Sequence, residues 1–380
     1  MLTKEPVYLD CNATAPMEPA VHEAVSQWFS EKIGNAGSRT HSFGLAAKQA
    51  VQLARSQVAN VVGADEDEVL FTSGATESNN IAILGLAKFG EDERRRHIVS
   101  TAIEHKAVLE PLQALASRGF DVTLVKPDST GAVTAEAVVG ALRPETLLVS
   151  VMHANNETGV LQPIAEIAMR LASHPAFLHV DAAQGFGKDL EALQSPRIDL
   201  ISVSSHKIYG PVGVGALIAR RRKFQRPPLE PLAFGGGQEG GIRPGTIPVP
   251  LTVGFGLAAK FAQQSVRERA KRTEAIRAQA LDALRPLGIH IHSRLDQTLP
   301  HVLSFSVPGV DSEALMLAVK DVAAVSNGSA CTSQSYKPSH VLEAMGLSQD
   351  EISGAIRLSW CHMTPDVDWQ SISRIINSLR

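Results

Sequence analysis

Short apolar or β-branched runs punctuate the first two thirds of the chain, at residues 69–72, 97–100, 122–125, 147–152, 177–181, 200–204 and 214–219. Most are separated by stretches with helical spacing of apolar positions, such as 77–89, 106–118 and 164–173. Strands that are apolar on both faces and alternate with helices predict a mostly parallel sheet covered by helices. After the Gly- and Pro-rich stretch 234–250 the pattern changes. A long helical segment runs from Leu251 towards Leu287, followed by a strand-like 302–307 and further helices, the last over 367–379. The change marks a second, smaller lobe, where Gly346 reads as a helix stop and Ser348 with Glu351 as a capping box.

At 380 residues the chain exceeds what one hydrophobic core usually serves, and a cleft between two lobes is a natural ligand site. A net charge of -3 gives no whole-molecule attraction to nucleic acid or anionic membranes, so neither direct nucleic-acid binding nor membrane association is expected. The N-terminus lacks an apolar leader and no apolar run approaches membrane-spanning length, which points to the cytoplasm. Cys11, Cys331 and Cys361 are odd in number and far apart, which suits free thiols in a reducing compartment. The basic clusters Arg94-Arg95-Arg96 and Arg220-Arg221-Arg222-Lys223 read as solvated faces.

In open α/β sheets ligands sit beyond the carboxyl ends of the strands, so the polar residues after each apolar run carry the most information. Here they are His153-Ala154-Asn155-Asn156-Glu157, then Asp181 with Gln184, then Ser205-His206-Lys207. The run Phe71 to Asn80 passes from strand to helix through small and hydroxyl residues, which suits a phosphate at the helix start; the plainer reading is an N-cap by Ser73 or Thr76. It has neither the Walker lysine nor the GxGxxG spacing of nucleotide sites. An anion cradle, a carboxylate and a lysine together suit pyridoxal 5'-phosphate (PLP), which needs a phosphate site, a partner for its ring nitrogen and a Schiff-base lysine. Asp181 and Lys207 supply the last two. No metal site is expected.

The words Tyr8-Leu9-Asp10, Ala13-Thr14, Ser73-Gly74-Ala75-Thr76-Glu77-Ser78, Glu104-His105-Lys106, Asn155-Asn156-Glu157, His179-Val180-Asp181 and Ser205-His206-Lys207-Ile208-Tyr209-Gly210-Pro211 resemble those of the cysteine desulfurases over nearly the whole chain. The resemblance implies an α/β, fold-type I PLP-dependent transferase of the class-V aminotransferase type. A large domain with a mostly parallel seven-stranded sheet (14–255) would be joined to a smaller α+β domain (1–13 and 256–380), in an obligate homodimer. It implies Lys207 as the Schiff-base lysine, and Ala75, Thr76, Ser204 and His206 on the phosphate. Asp181 would face the ring nitrogen, Gln184 and Asn156 the phenolic oxygen side, and His105 the ring face. Thr246 would reach the neighbouring subunit's phosphate, and Arg357, assisted by Asn35 and Asn156, would take the substrate carboxylate. Ser205 stands where a glycine is frequent, and Trp360-Cys361-His362 replaces a commoner small-basic word.

The stretch Ser326 to Ser333 resembles the family's first group, in which the cysteine of a long, flexible loop accepts sulfur from L-cysteine as a persulfide. That makes Cys331, with Lys207 and His105, the expected catalytic set, and the small polar residues around it imply a mobile segment at about 326–335. Cys11 and Cys361 read as structural. The competing functions are a selenocysteine lyase, an aminotransferase, which needs no thiol, and a sulfur-relay scaffold, which needs no Lys207. A sulfur-acceptor protein is the expected partner, in iron–sulfur cluster assembly, tRNA thiolation or DNA phosphorothioation. The end of the chain soon after its last helix suggests a dedicated pathway, and the Gly34 to His41 wording resembles desulfurases of DNA phosphorothioation systems.

Overall fold

The computed structural model describes residues 5–328 and 338–380, so Cys331 and most of its expected segment lie outside the described residues. Each of the seven apolar runs forms a strand: β2 (Val69–Thr72), β3 (His97–Thr101), β4 (Asp121–Val125), β5 (Thr146–Met152), β6 (Phe177–Asp181), β7 (Leu200–Ser204) and β8 (Gly215–Ala219), after a short β1 (Val7–Tyr8). They make one sheet in the order β2-β8-β7-β6-β5-β3-β4. The pairs from β4 through β7 are parallel, and β8 runs antiparallel to both β7 and β2. Every residue of β5, β7 and β8 is buried, which is why these strands read as predominantly apolar runs. The edge strand β4 is instead largely open to solvent, carrying exposed Asp121 and Leu124.

One sheet face packs on Val51, Val58, Phe255 and Ala259, the other on Ile81, Leu86, Val108 and Leu115. The direct return from β7 to β8 leaves room only for a single 3-10 turn, Ser205–Lys207, at the sheet's carboxyl edge. β8 begins at Gly215, where a Cβ would stand 2.6 Å from the Gly74 Cα and 2.4 Å from the Val203 carbonyl oxygen. Glycine at this position lets the turn after β2 lie against the turn after β7.

The expected long helix is Val249–Leu284. Its first half, through Val249, Phe255, Ala258 and Ala262, belongs to the sheet's core, and its second half, through Ile276, Ala280 and Leu284, belongs to a separate core. That second core gathers Leu9, Leu303, Phe305, Ile356, Trp360 and Ile372 around a three-stranded antiparallel sheet of β9 (His290–Ile291), β10 (Val302–Ser306) and β12 (Ala355–Ser359). β1 pairs in parallel with β11 (Ala323–Ala324), which ties the N-terminal residues to this lobe. We propose two lobes sharing this helix as the domain organisation. The capping box at Ser348 and Glu351 forms, and Gly346, with φ +79°, ends the preceding helix.

The basic cluster after β8 is not the solvated face expected of it. Arg220 is buried and donates to the carbonyls of Val62, Leu193 and Ser195, while Arg222 reaches Asp199 at 2.5 Å. Its guanidinium groups satisfy backbone carbonyls that would otherwise be stranded where helices meet strand ends. No described helix is long and apolar enough to cross a membrane.

Candidate active site

A cavity of about 380 Å³ opens beyond the carboxyl ends of β5, β6 and β7 and is closed on its far side by Arg357 of β12. Its anion end is the start of the helix Ala75–Leu84. The N-cap position is Gly74, and no side chain caps this helix. Neither Ser73 nor Thr76 serves as the plain N-cap. The Ser73 backbone N–H goes to the Glu77 carboxylate, while Thr72 and Ser78 bond to each other at 2.8 Å and pin the turn from behind. The first-turn N–H groups at Ala75 and Thr76 are thereby left to a ligand in the cavity they line, at the positive end of the helix. Ser204 and His206 line the same end. Burial and the neighbouring Lys207 push His206 down to about 4, so its ring is neutral at pH 7, with Nδ1 lying 3.2 Å from the Thr14 hydroxyl.

Lys207 stands at the mouth of the turn after β7. Its Nζ donates to the Ala13 carbonyl at 2.6 Å and also to the Asn12 carbonyl. Asp181, the last residue of β6, is 4% exposed, and both of its oxygens are held: Oδ2 by Asn79 Nδ2 at 2.7 Å and Oδ1 by the Ala183 N–H at 3.0 Å. His105 caps the helix Lys106–Ala116, its Nδ1 accepting from the Ala107 N–H at 3.0 Å. An Nδ1 that accepts leaves the proton of the neutral ring on Nε2. Burial lowers the His105 pKa, with the Asp181 carboxylate pulling the other way, so the neutral form is favoured.

Arg357 lines the opposite end. Arg357 is 1% exposed; its Nη1 donates to the Asn156 carbonyl at 2.9 Å and its Nη2 to Asp10 Oδ1 at 2.6 Å, and its Nε is buried without a partner. Gln184 donates to the Asn12 carbonyl at 3.1 Å, leaving its own Oε1 unpartnered. The structure thus gathers Ala75, Thr76, His105, Asn156, Asp181, Gln184, Ser204, His206, Lys207 and Arg357 into one cavity lining. Asn35 and Thr246 are exposed and do not line it. The amide oxygen of Asn35 accepts from the Gly37 N–H at 2.8 Å within its own turn.

Several contributors carried no role in the sequence reading. Asn12 offers its carbonyl to Lys207 and Gln184 and its side chain to the Asn156 carbonyl at 3.0 Å. Asn79 orients Asp181, Asp10 orients Arg357, and buried Glu104 ties β3 to β5 by accepting from Thr101 at 2.7 Å and the Met152 N–H at 2.8 Å. Asp10, Asn79 and Glu104 sit within or beside the motif words, which was the only available signal. A backbone carbonyl, such as that of Asn12, leaves none.

The donor set fits PLP. Free helix N–H groups face one end, a carboxylate and a lysine share the middle, and Asn12, Asn79, Gln184 and Arg357 bring partnerless polar atoms to the lining. An open α/β sheet with this site at its strand ends defines a transferase-like fold of the PLP type, and comparison with known proteins agrees. The aminotransferase class-V model matches residues 7–370, and the chain belongs to that family. It is similar to the cysteine desulfurase IscS of Aeromonas hydrophila subsp. hydrophila, 45% identical over 369 residues that cover 96% of this chain and 90% of the relative. Among solved structures it is similar to DndA from Streptomyces lividans, with 48% identity, a TM-score of 0.82 and coverage of 91% of this chain and 97% of that one. It is also similar to SspA in complex with cysteine, with 35% identity, a TM-score of 0.78 and coverage of 93% and 98%.

Proposed function

We propose that the chain is a cysteine desulfurase: L-cysteine enters the cavity, L-alanine leaves it, and the sulfur passes through a persulfide on Cys331 to an acceptor protein. The observation that carries this reading is one cavity holding Lys207, Asp181, free helix N–H groups and a buried arginine with donor capacity to spare. The similarity to IscS and to SspA with cysteine supports the substrate.

When bound, PLP supplies an electron sink that loosens the bonds at the amino acid's Cα and Cβ. Ala75, Thr76, Ser204 and His206 would hold its phosphate, and Lys207 would carry it. Asp181, held by Asn79 and the Ala183 N–H, keeps a fixed negative charge for the ring nitrogen's proton. Arg357 takes the substrate carboxylate as a planar fork. His105 presents Nε2–H from a neutral ring, and Lys207 would move protons at Cα. The Cys331 thiolate attacks the substrate sulfur: the Cβ–S bond breaks, an S–S bond forms, and protonation at carbon completes alanine. Thr246, exposed and outside its own cavity, would complete the neighbouring site in a homodimer. The Gly34 to His41 wording favours DNA phosphorothioation over iron–sulfur cluster assembly or tRNA thiolation as the pathway, in the cytoplasm.

The test is stoichiometric. The PLP-loaded protein should convert L-cysteine to L-alanine and, without reductant, carry added sulfur on the peptide containing Cys331. Cys331→Ser should keep PLP and lose alanine formation, and Lys207→Ala should lose turnover and borohydride-trapped cofactor. Full turnover by the serine variant would make the protein an aminotransferase-type enzyme. Strong preference for selenocysteine would make it a selenocysteine lyase, and acceptor sulfuration by Lys207→Ala would make it a relay scaffold.

A further inference from the structure

Glu157 is a buried carboxylate outside the cavity lining. It follows β5 in a turn whose backbone is locked by Asn155: Oδ1 accepts from the Glu157 N–H at 2.8 Å and the Thr158 N–H at 3.0 Å, and Nδ2 donates to the Ile103 carbonyl at 3.0 Å. From this fixed point the side chain reaches the other lobe. Its Oε2 accepts from the Ser339 hydroxyl at 2.5 Å. The same hydroxyl accepts from the Leu342 N–H at 3.2 Å and so caps the helix His340–Ala344. The stem of Glu157 runs beside Gly328, where an added Cβ would stand 3.5 Å from Glu157 Cβ and Cγ. Gly328 has φ +80°, and its N–H donates to the Ser326 hydroxyl at 3.1 Å. The Ser326 carbonyl in turn accepts from the Arg357 N–H at 2.6 Å.

Gly328 therefore lies beside the Glu157 side chain and Ser339 bonds its carboxylate, and the chain between them contains Cys331. We infer that Glu157 is a positioning residue for sulfur uptake, holding together the two ends of the cysteine-bearing stretch on the side of the cavity where Asn156 and Arg357 lie. The inference rests on the desulfurase reading for what Cys331 does, but the clamp stands on described residues alone. Fixed ends raise the effective concentration of a tethered group at its target, since less of its freedom must be lost when it arrives. Burial raises the Glu157 pKa, while the Ser339 hydroxyl and the charges of His340 and Arg357 pull the other way, towards the carboxylate that accepts from Ser339.

The experiment compares PLP-loaded wild type with Glu157→Ala, Glu157→Gln and Ser339→Ala. For Glu157→Ala the cofactor absorbance and the KM for L-cysteine should stay near wild type while kcat falls at least about tenfold, the scale on which misplacing a reacting group acts. Iodoacetamide labelling of Cys331, followed by mass spectrometry, should speed up several-fold in Glu157→Ala and Ser339→Ala. The double variant should add little to either, because both single changes break the same contact. Glu157→Gln keeps an acceptor for Ser339 and should recover most of both properties. Wild-type labelling in Glu157→Ala, a raised KM with unchanged kcat, or a glutamine variant no better than alanine would overturn the assignment. Labelling needs no turnover, so it still decides the clamp if the wild type places its sulfur elsewhere than Cys331, a result that would sink only the desulfurase reading.

Discussion

Asp10 Oδ1 accepts from Arg357 Nη2 at 2.6 Å, joining the second residue after the leading strand to the middle of β12 across 347 positions of chain. The Asn156 carbonyl holds the other Nη, so the plane of the guanidinium is set from two sides before any substrate arrives. Arg357 lies almost wholly out of water, where a charge without a partner is costly, and Asp10 supplies its counter-charge.

Asp10→Ala should raise the KM for L-cysteine about tenfold, roughly 1.4 kcal/mol, with a smaller change in kcat. Asp10→Asn keeps an acceptor without the charge and should fall between. Cysteamine lacks the carboxylate, so its spectroscopically measured affinity should be nearly the same in all three proteins. A parallel loss for cysteamine would show that Asp10 shapes the cavity as a whole.

Asp181→Asn should bind PLP, since the phosphate cradle and Lys207 lie on other elements. Its kcat should fall about a hundredfold, the scale seen on losing one preorganised electrostatic group. Asn79→Ala frees Asp181 Oδ2 without removing the charge and should cost less. Steady-state alanine formation on both variants, with PLP content measured on the same samples, tests the order.

Thr246 and Lys207 are expected to serve different sites of a dimer. A Lys207→Ala chain and a Thr246→Val chain, each weakly active alone, should regain activity when unfolded together and reassembled, because a mixed dimer then has one intact site. No recovery in dimers verified by native mass spectrometry would place Thr246 at its own subunit's site or at none.

Acidification should weaken the fold through buried neutral histidines. His179, between Ser150 Oγ at 2.8 Å and Ser202 Oγ at 3.0 Å, is pushed by burial down to about 3, and His206 and His292 to about 4. Between those values and about 6.5 the unfolded chain binds more protons than the folded one, so stability rises with pH. Glu104, raised by burial to about 8, works the other way between about 4.5 and 8, because the folded state keeps a proton the unfolded state has lost. Glu157 is raised by burial as well, but the lowered histidines also include His97, His105, His174, His301 and His362, so the histidines should dominate from pH 6 to pH 5. In urea unfolding, the stability lead of wild type over His179→Gln should shrink by about 1.4 kcal/mol per pH unit in that window. A lead independent of pH would show that His179 is not held neutral.

Most of the sheet strands were legible in the sequence because a strand buried on both faces is predominantly apolar and β-branched, a signal written in four to seven adjacent residues. The same holds for the capping box at Ser348, whose partners lie three residues apart, and for Asp181 and Lys207, which follow strands and so share one sheet edge. The strand order, the placement of Asp10 against Arg357 and the use of the Asn12 carbonyl by both Lys207 and Gln184 were decided only by tertiary structure. Periodicity and capping act within a few residues, whereas these contacts join segments more than a hundred positions apart, and an accepting carbonyl belongs to every residue alike. Arg220 shows the same limit in reverse: its sequence context is that of a surface charge, and only the packed fold, with three carbonyls converging on one guanidinium, makes burial favourable.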